Sequence, residues 1–388
     1  MLRFVVIVGV LLFTAGCVHF DPAADYQDEC LINKLGADPS DANDRGRSAT
    51  VKVIRYTDDG LYVDRCDFTD ALFELQQPKP QVVVLYVHGW KHNGENNDTD
   101  LVEFSRLVDT LASNEAARGH DRRVVGIYVA WDAKRTSVPV LKEFTFWGRK
   151  RAADRISQSA AITRLLGAID RTAEKRADPD DLTIYVGHSF GARILYSATA
   201  QLLVHRLQLA HPGERGQSFE HMSGTGDLVL LINPAFEASL YSVFAAQQNR
   251  WQESFLSSQL PVLLAISAEN DAATKTAFPL GQLAGLELSQ RRRTTLGNYK
   301  PYVTHRLGPC AADASLACNE TSFENYCAKG ACLTRNTSGS YPHNPFIVAQ
   351  ADSTIVDGHG GIWKPQFIAW LTSFIGELDK KKSESRKQ

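Results

Sequence analysis

The pentapeptide Gly187-His188-Ser189-Phe190-Gly191 is the segment of this chain best suited to chemistry. A serine hydroxyl is a weak nucleophile until a neighbouring base takes its proton, and it must stand clear of the backbone to reach a carbonyl. A G-x-S-x-G sequence meets the second need when it forms a sharp turn from a strand into a helix. Glycine at both ends then leaves out Cβ atoms for which the turn has no room. Such a turn lifts the Ser189 hydroxyl above a sheet and sets main-chain N–H groups of the helix N-terminus beside it. The pattern arises by chance often enough that it counts only in this strand–turn–helix context. Three further segments carry groups of the right type: His88-Gly89-Trp90 upstream, Ser267-Ala268-Glu269-Asn270-Asp271 downstream, and Asp357-Gly358-His359-Gly360-Gly361 near the end.

The elements that would position these groups are legible as runs. Residues 81–87, 124–130, 182–186, 228–232, 262–266 and 346–349 are largely apolar, several of them rich in β-branched residues, as expected of strands buried on both faces of a parallel sheet, and residues 51–56 are strand-like. Ser189 thus follows one strand directly, and a helical pattern over 192–208 follows Ser189. Helical spacing also fits a segment starting near Asp100, where Asp100 and Glu103 form an acidic capping box, and 150–173, 238–258 and 364–378. Residues 61–64, separated from 51–56 by Thr57-Asp58-Asp59-Gly60, read as the return strand of a hairpin. Strands alternating with helices imply an α/β fold around a mostly parallel, doubly wound sheet. The segment 288–345 breaks this rhythm, with four cysteines and little periodicity, and reads as a disulfide-stapled insertion before the last strand. Residues 379–388 read as a charged, solvated tail.

The Gly187–Gly191 turn, taken with His88-Gly89 directly after the buried run 81–87, resembles the α/β-hydrolase superfamily, in particular bacterial serine hydrolases of esterase or lipase type. The resemblance spans about residues 49–378, although few positions carry it. It implies that Ser189 is the nucleophile and that the N–H groups of Trp90 and Phe190 bind the oxyanion of a tetrahedral intermediate. The family's chain order is serine, acid, histidine. That order implies Asp271 as the acid, with Glu269 the alternative, and His359, in a glycine-rich loop before the final helix, as the general base. The implied reaction is acyl transfer through an acyl-enzyme. His88 is expected to be structural. His88 and His92 flank a glycine turn rather than share a helix face, so zinc chemistry is unsupported, and neither metal nor cofactor is expected. The insertion and the polar loop 211–227 depart from the family pattern and are expected to hang over the site.

The chain begins Met1-Leu2-Arg3, runs apolar through Phe13 and continues Thr14-Ala15-Gly16-Cys17. A basic start, about a dozen apolar residues and small residues at the end read as a secretory signal, too short for the roughly 20 residues of a spanning helix. Ala-Gly-Cys resembles the bacterial lipobox, which implies a signal over 1–16, lipid on Cys17 and a tether over 17–48. Thr14 departs from that family's aliphatic preference. Val18 in place of aspartate points to the outer rather than the inner membrane of the cell envelope. The other cysteines, Cys30, Cys66, Cys310, Cys318, Cys327 and Cys332, make an even number in an exported chain. Clustering favours Cys30 with Cys66 and the late four among themselves. Their spacing lacks the paired C-x₂-C of structural zinc.

Composition narrows the function further. The 388 residues hold 42 Lys+Arg against 44 Asp+Glu, so there is no basic excess to neutralise phosphates and nucleic-acid binding is excluded as a main role. The expected function is an exported, membrane-tethered serine hydrolase acting on small-molecule or lipid esters. A peptidase or acyltransferase with the same three residues, and a non-catalytic surface-binding lipoprotein, are the alternatives. Substrate and oligomeric state do not follow from the residues.

Overall fold

A computed structural model describes residues 48–132, 142–211, 219–251, 255–279, 288–310, 323–336 and 342–385. Ten strands form one sheet: β1 (Ala49–Tyr56), β2 (Gln81–Val87), β3 (Arg123–Trp131), β4 (Leu182–His188), β5 (Leu228–Ile232), β6 (Leu263–Ala268), β7 (His305–Pro309), β8 (Asn325–Ala328), β9 (Ala331–Arg335) and β10 (Phe346–Ala351), ordered β1-β3-β2-β4-β5-β6-β10-β7-β9-β8. From β1 through β7 every pairing is parallel; β9 runs antiparallel to β7 and β8 to β9. Every residue of β2, β3, β4, β5 and β6 is buried, as continuous apolar runs require when helices cover both faces. On one face lie α1 (Arg65–Leu75), α3 (Lys142–Gln158), α4 (Ala161–Arg176), α5 (Phe190–Leu209) and α6 (Ser242–Trp251); on the other lie α2 (Thr99–Ala117) and α7 (Pro365–Ser385). Phe104, Val108 and Leu111 of α2 join Trp370 and Phe374 of α7 in the second layer.

The order reverses at β2. The chain leaves β2, adds β3 on one side, then crosses to place β4 on the other, so the loops after β2 and β4 open side by side at the carboxyl edge. Open α/β sheets bind ligands at such a reversal. Both His88-Gly89-Trp90 and Ser189 sit there.

Several expectations are corrected. Residues 61–64 form no strand: a single bridge joins Tyr56 to Tyr62, and the chain turns into α1, whose first turn is capped by the Asp64 carboxylate accepting from Cys66 N at 2.8 Å. β1 instead pairs in parallel with β3. The 150–173 pattern is two helices, α3 and α4, broken at Ala160, whose φ of 59° no continuous helix can hold. Asp98, not Asp100, caps α2. The 238–258 pattern holds a 3₁₀ turn, Ala238–Tyr241, before α6. The described part of the insertion adds β7, β8 and β9 to the sheet. Residues 219–227 lie at the amino end of β4, where Asp227 Oδ2 accepts from Thr183 N at 2.8 Å, opposite Ser189. The charged tail begins as helix: α7 runs to Ser385, Asp379 pairs with Arg122 at 2.6 Å, and Lys382 pairs with Asp227 at 2.6 Å.

Cys66 is disulfide-bonded; Cys30, its expected partner, lies outside the described residues, as do Cys17 and Cys318. The sulfurs of Cys310 and Cys327 both lie within bonding distance of Cys332, which can bond only one of them. Among the described residues no helix is long and apolar enough to cross a membrane.

Candidate active site

Ser189 joins β4 to α5 with φ 57° and ψ −118°, a conformation that disfavours a residue bearing a Cβ. Neighbouring main chain holds it there: Ser189 N donates to Ile232 O at 3.0 Å, and Ser189 O accepts from Ala235 N at 3.1 Å. The glycines let two loops meet. A Cβ on Gly191 would stand 2.0 Å from the carbonyl oxygen of Val87, and one on Gly89 would stand 2.8 Å from Ser189 Cβ. The loop after β2 therefore lies against the Ser189 turn, with Trp90 on that loop and Phe190 opening α5.

Asp271 follows β6 and is fully buried. Its Oδ2 accepts from His359 Nδ1 at 2.7 Å and from Thr274 Oγ1 at 2.7 Å; its Oδ1 accepts from Ala273 N at 2.9 Å and Thr274 N at 3.2 Å. Burial pushes this carboxyl up, but the hydrogen bond and charge of His359, with the Thr274 donors, outweigh it and leave the group below the usual aspartate range. With Nδ1–H committed to Asp271, Nε2 of His359 is the acceptor, and it lies 2.7 Å from Ser189 Oγ. Three residues from three parts of the chain thus form one hydrogen-bonded line, hydroxyl to imidazole to carboxylate. Glu269 is not on it: its Oε1 accepts from Ser353 N at 3.4 Å and its Oε2 lies 3.8 Å from Arg306.

The loop bearing His359 is pinned at both ends. Asn270 donates to Asp357 Oδ1 and accepts from Gly358 N, each at 2.8 Å, and Asp357 bridges back to Gly361. Trp363 Nε1 donates to Asp100 Oδ1 at 2.8 Å, and the hydroxyls of Tyr86 and Tyr128 donate to the same carboxylate. Asp100, expected to cap a helix, therefore ties the loop that follows His359 to the start of α2.

His88 is structural, as expected. Nδ1–H donates to Gly89 O at 2.7 Å, Nε2 accepts from Trp131 N at 3.0 Å, and burial lowers its pKa to about 4. His92 turns instead to Asp98 Oδ1 at 2.7 Å. Among the described residues, two trios could offer ligands to a metal. Cys332 lies within bonding distance of both Cys310 and Cys327, so a disulfide takes up two of these three sulfurs, and Glu115, His120 and Asp379 surround Arg122, which already neutralises both carboxylates. Neither trio touches Ser189.

Reading by residue type passed over His188, Asn233, Asn270 and Thr274. Asn233 had a signal, an Asn-Pro pair just past the buried run 228–232 at the edge that carries Ser189.

No protein-family model matches the chain, and no curated protein matches it. Solved structures similar to it include an inhibited esterase B from Lactobacillus rhamnosis (13% identity, TM-score 0.30, covering 80% of this chain and 81% of that one). Phospholipase PlaB from Legionella pneumophila has 12% identity and a TM-score of 0.28, covering 79% and 65%. Esterase PE8 has 15% and 0.24, covering 53% and 80%. At these identities and scores the likeness carries no weight beside the geometry itself.

Proposed function

We propose that this protein is a serine hydrolase of the α/β-hydrolase type that cleaves carboxylic esters through an acyl-enzyme. The observation that carries this reading is the line Ser189 Oγ–His359 Nε2–His359 Nδ1–Asp271 Oδ2, with both contacts at 2.7 Å, at the reversal point of the sheet. A buried serine hydroxyl held in a strained turn against a neutral imidazole nitrogen is equipped to lose its proton as it attacks a carbonyl. The proton passes to His359 Nε2, and Asp271 stabilises the imidazolium. The oxyanion is taken up by the N–H groups of Trp90 and Phe190. His359 then returns the proton to the leaving alcohol, and water repeats the sequence to release the acid. No cofactor enters these steps.

Residues 1–17 support export and tethering: a signal ending at Gly16, lipid on Cys17, and a chain held in the cell envelope, at the outer membrane, where lipid esters are within reach. The test is a fluorophosphonate probe and an ester panel applied to wild type and Ser189→Ala, with intact mass measured on the membrane fraction. Labelling and turnover that vanish in Ser189→Ala, and an acylated Cys17, are expected. Ester turnover unchanged in Ser189→Ala would refute the hydrolase reading, and amide-only turnover would favour a peptidase.

A further inference from the structure

The main-chain carbonyl of His359 accepts two side-chain hydrogen bonds. His188 Nε2 lies 2.9 Å from it, and Asn233 Nδ2 lies 2.9 Å from it and 3.1 Å from the Gly358 carbonyl. These donors come from different places. His188 immediately precedes Ser189 at the end of β4. Asn233 follows β5, and its Oδ1 accepts from Ala268 N at 2.8 Å, at the end of β6 where the Asp271 loop begins. Its own N–H donates to Ile266 O at 2.8 Å.

Both residues bear marks of being fixed for this contact. Asn233 is fully buried and holds a φ of 46°, a backbone state that costs free energy for any residue with a Cβ. His188 is buried too, with Nδ1 making no hydrogen bond while Nε2 spends its proton on the His359 carbonyl. A buried imidazole that leaves one nitrogen unsatisfied to place the other has been set by that one contact.

We propose that His188 and Asn233 are positioning residues that set the His359 imidazole against Ser189 by gripping its carbonyl oxygen, and that Asn233 locks this carbonyl in register with the end of β6, from which the Asp271 loop departs. Each member of the line is then within three residues of a group tied to the shared anchor: His188 beside Ser189, the anchor on His359 itself, and Asn233 bonded to Ala268, three residues before Asp271. The inference concerns rate because it rests on the proposed hydrolase reading, but its geometry stands without it. A displacement of about 1 Å in a reacting group commonly costs roughly 10²-fold in rate.

Side-chain shape gives a discriminating test. The terminal nitrogen of glutamine can reach the place of a histidine Nε2, whereas that of asparagine reaches only the place of Nδ1. His188→Gln should therefore keep kcat per titrated site within about threefold, while His188→Asn loses tenfold or more, with KM little changed, at a cost set by misplacement. Asn233→Asp, nearly isosteric, turns an oxygen toward two carbonyls and should lower kcat roughly 10²-fold and shift the pH profile of kcat/KM. The second readout needs no turnover: the low-field Nδ1–H proton resonance of His359 should persist in wild type and His188→Gln and shift or broaden in His188→Asn and Asn233→Asp. Equal effects of Gln and Asn at position 188, or an unmoved resonance in Asn233→Asp, would overturn the proposal. Wild type with the resonance intact but no ester turnover and no probe labelling would instead remove the hydrolase reading and leave the grip standing.

Discussion

Replacing Asp271 by asparagine tests the site most sharply. In the folded chain Oδ1 accepts from two main-chain N–H groups, so an asparagine would keep its carbonyl there and turn its NH₂ toward His359 Nδ1 and Thr274 Oγ1. Two donors cannot face each other, so the imidazole must give up its Nδ1 proton and hold one on Nε2 instead. Nε2, now protonated, can only donate toward Ser189 and can no longer take its proton. In Ser-His-Asp proteases the wrong tautomer costs about 10⁴ in kcat, and at about 1.4 kcal/mol per power of ten that is roughly 5.5 kcal/mol of lost transition-state stabilisation. A similar magnitude is expected here because the line joins the same three groups in the same order, carboxylate to Nδ1 and Nε2 to hydroxyl. The control is Glu269→Gln, which disturbs only a 3.4 Å contact from Ser353 N and a 3.8 Å pairing with the exposed Arg306, and should leave kcat within about twofold. Turnover of a short-chain aryl ester, per mole of protein shown folded by near-ultraviolet circular dichroism, is the assay. Asp271→Asn within tenfold of wild type, or Glu269→Gln falling further than Asp271→Asn, would refute the assignment of the acid.

Two other outcomes follow from the packing. Gly191→Ala places a Cβ 2.0 Å from the Val87 carbonyl, a backbone atom that no rotamer change can move, so α5 must shift off β2. Destabilisation of about 1–3 kcal/mol by denaturant titration and loss of probe labelling are expected, and full labelling would show that the turn has slack. Acid should unfold the protein through its histidines. Burial lowers His88 and His188 to about 4 and His305 to about 3, against about 6.5 in the unfolded chain. The native state then binds fewer protons than the unfolded state, so stability is whole above about pH 6.5 and falls as pH drops toward 4. Denaturant midpoints at pH 7.5 and 5 should differ by a few kcal/mol in stability; a flat profile would mean that these rings are wet.

How much of this was legible in the sequence depended on the scale of the signal. The runs at 81–87, 124–130, 182–186, 228–232 and 262–266 announced buried parallel strands because each is almost wholly apolar, and the strand–turn–helix around Ser189 followed from them. The strands β7, β8 and β9 were illegible: they are short, lie toward one sheet edge and carry polar residues on the open face, so neither a continuous run nor a clear alternation marks them. Asp271 against Glu269 could not be decided by spacing, since only the turn Ala273–Ala277 aims one carboxylate inward. Asp100 misled because an aspartate ahead of an apolar helix ordinarily caps it. Here Asp98 does so, and Asp100 is spent on Tyr86, Tyr128 and Trp363, partners a sequence window does not contain. Asn233 and His188 act through a main-chain carbonyl, which has no residue type to read.

One of the three acid-sensitive histidines, His188, also bears on the proposed catalysis. The His188 and His359 ring centres are 5.1 Å apart. Were His188 protonated at neutral pH, it would oppose the imidazolium that forms at His359 during acylation by roughly 3 kcal/mol at an effective dielectric of 20, or about two powers of ten in rate. Full burial removes that opposition by holding His188 neutral, and neutrality also keeps its single proton on Nε2, where the His359 carbonyl needs it. The cost is a group that must be uncharged to fold, so the protein that holds His359 well at pH 7 is the one that loosens as pH falls below 6. A substitution that relieves acid sensitivity at position 188 by opening the site to water should therefore slow acylation, whereas His188→Gln, neutral at every pH and still a donor, should remove the His188 share of the acid slope, leaving that of His88 and His305, and spare the rate. That pairing separates burial for packing alone, which would let the two effects vary independently, from burial that serves the line at Ser189.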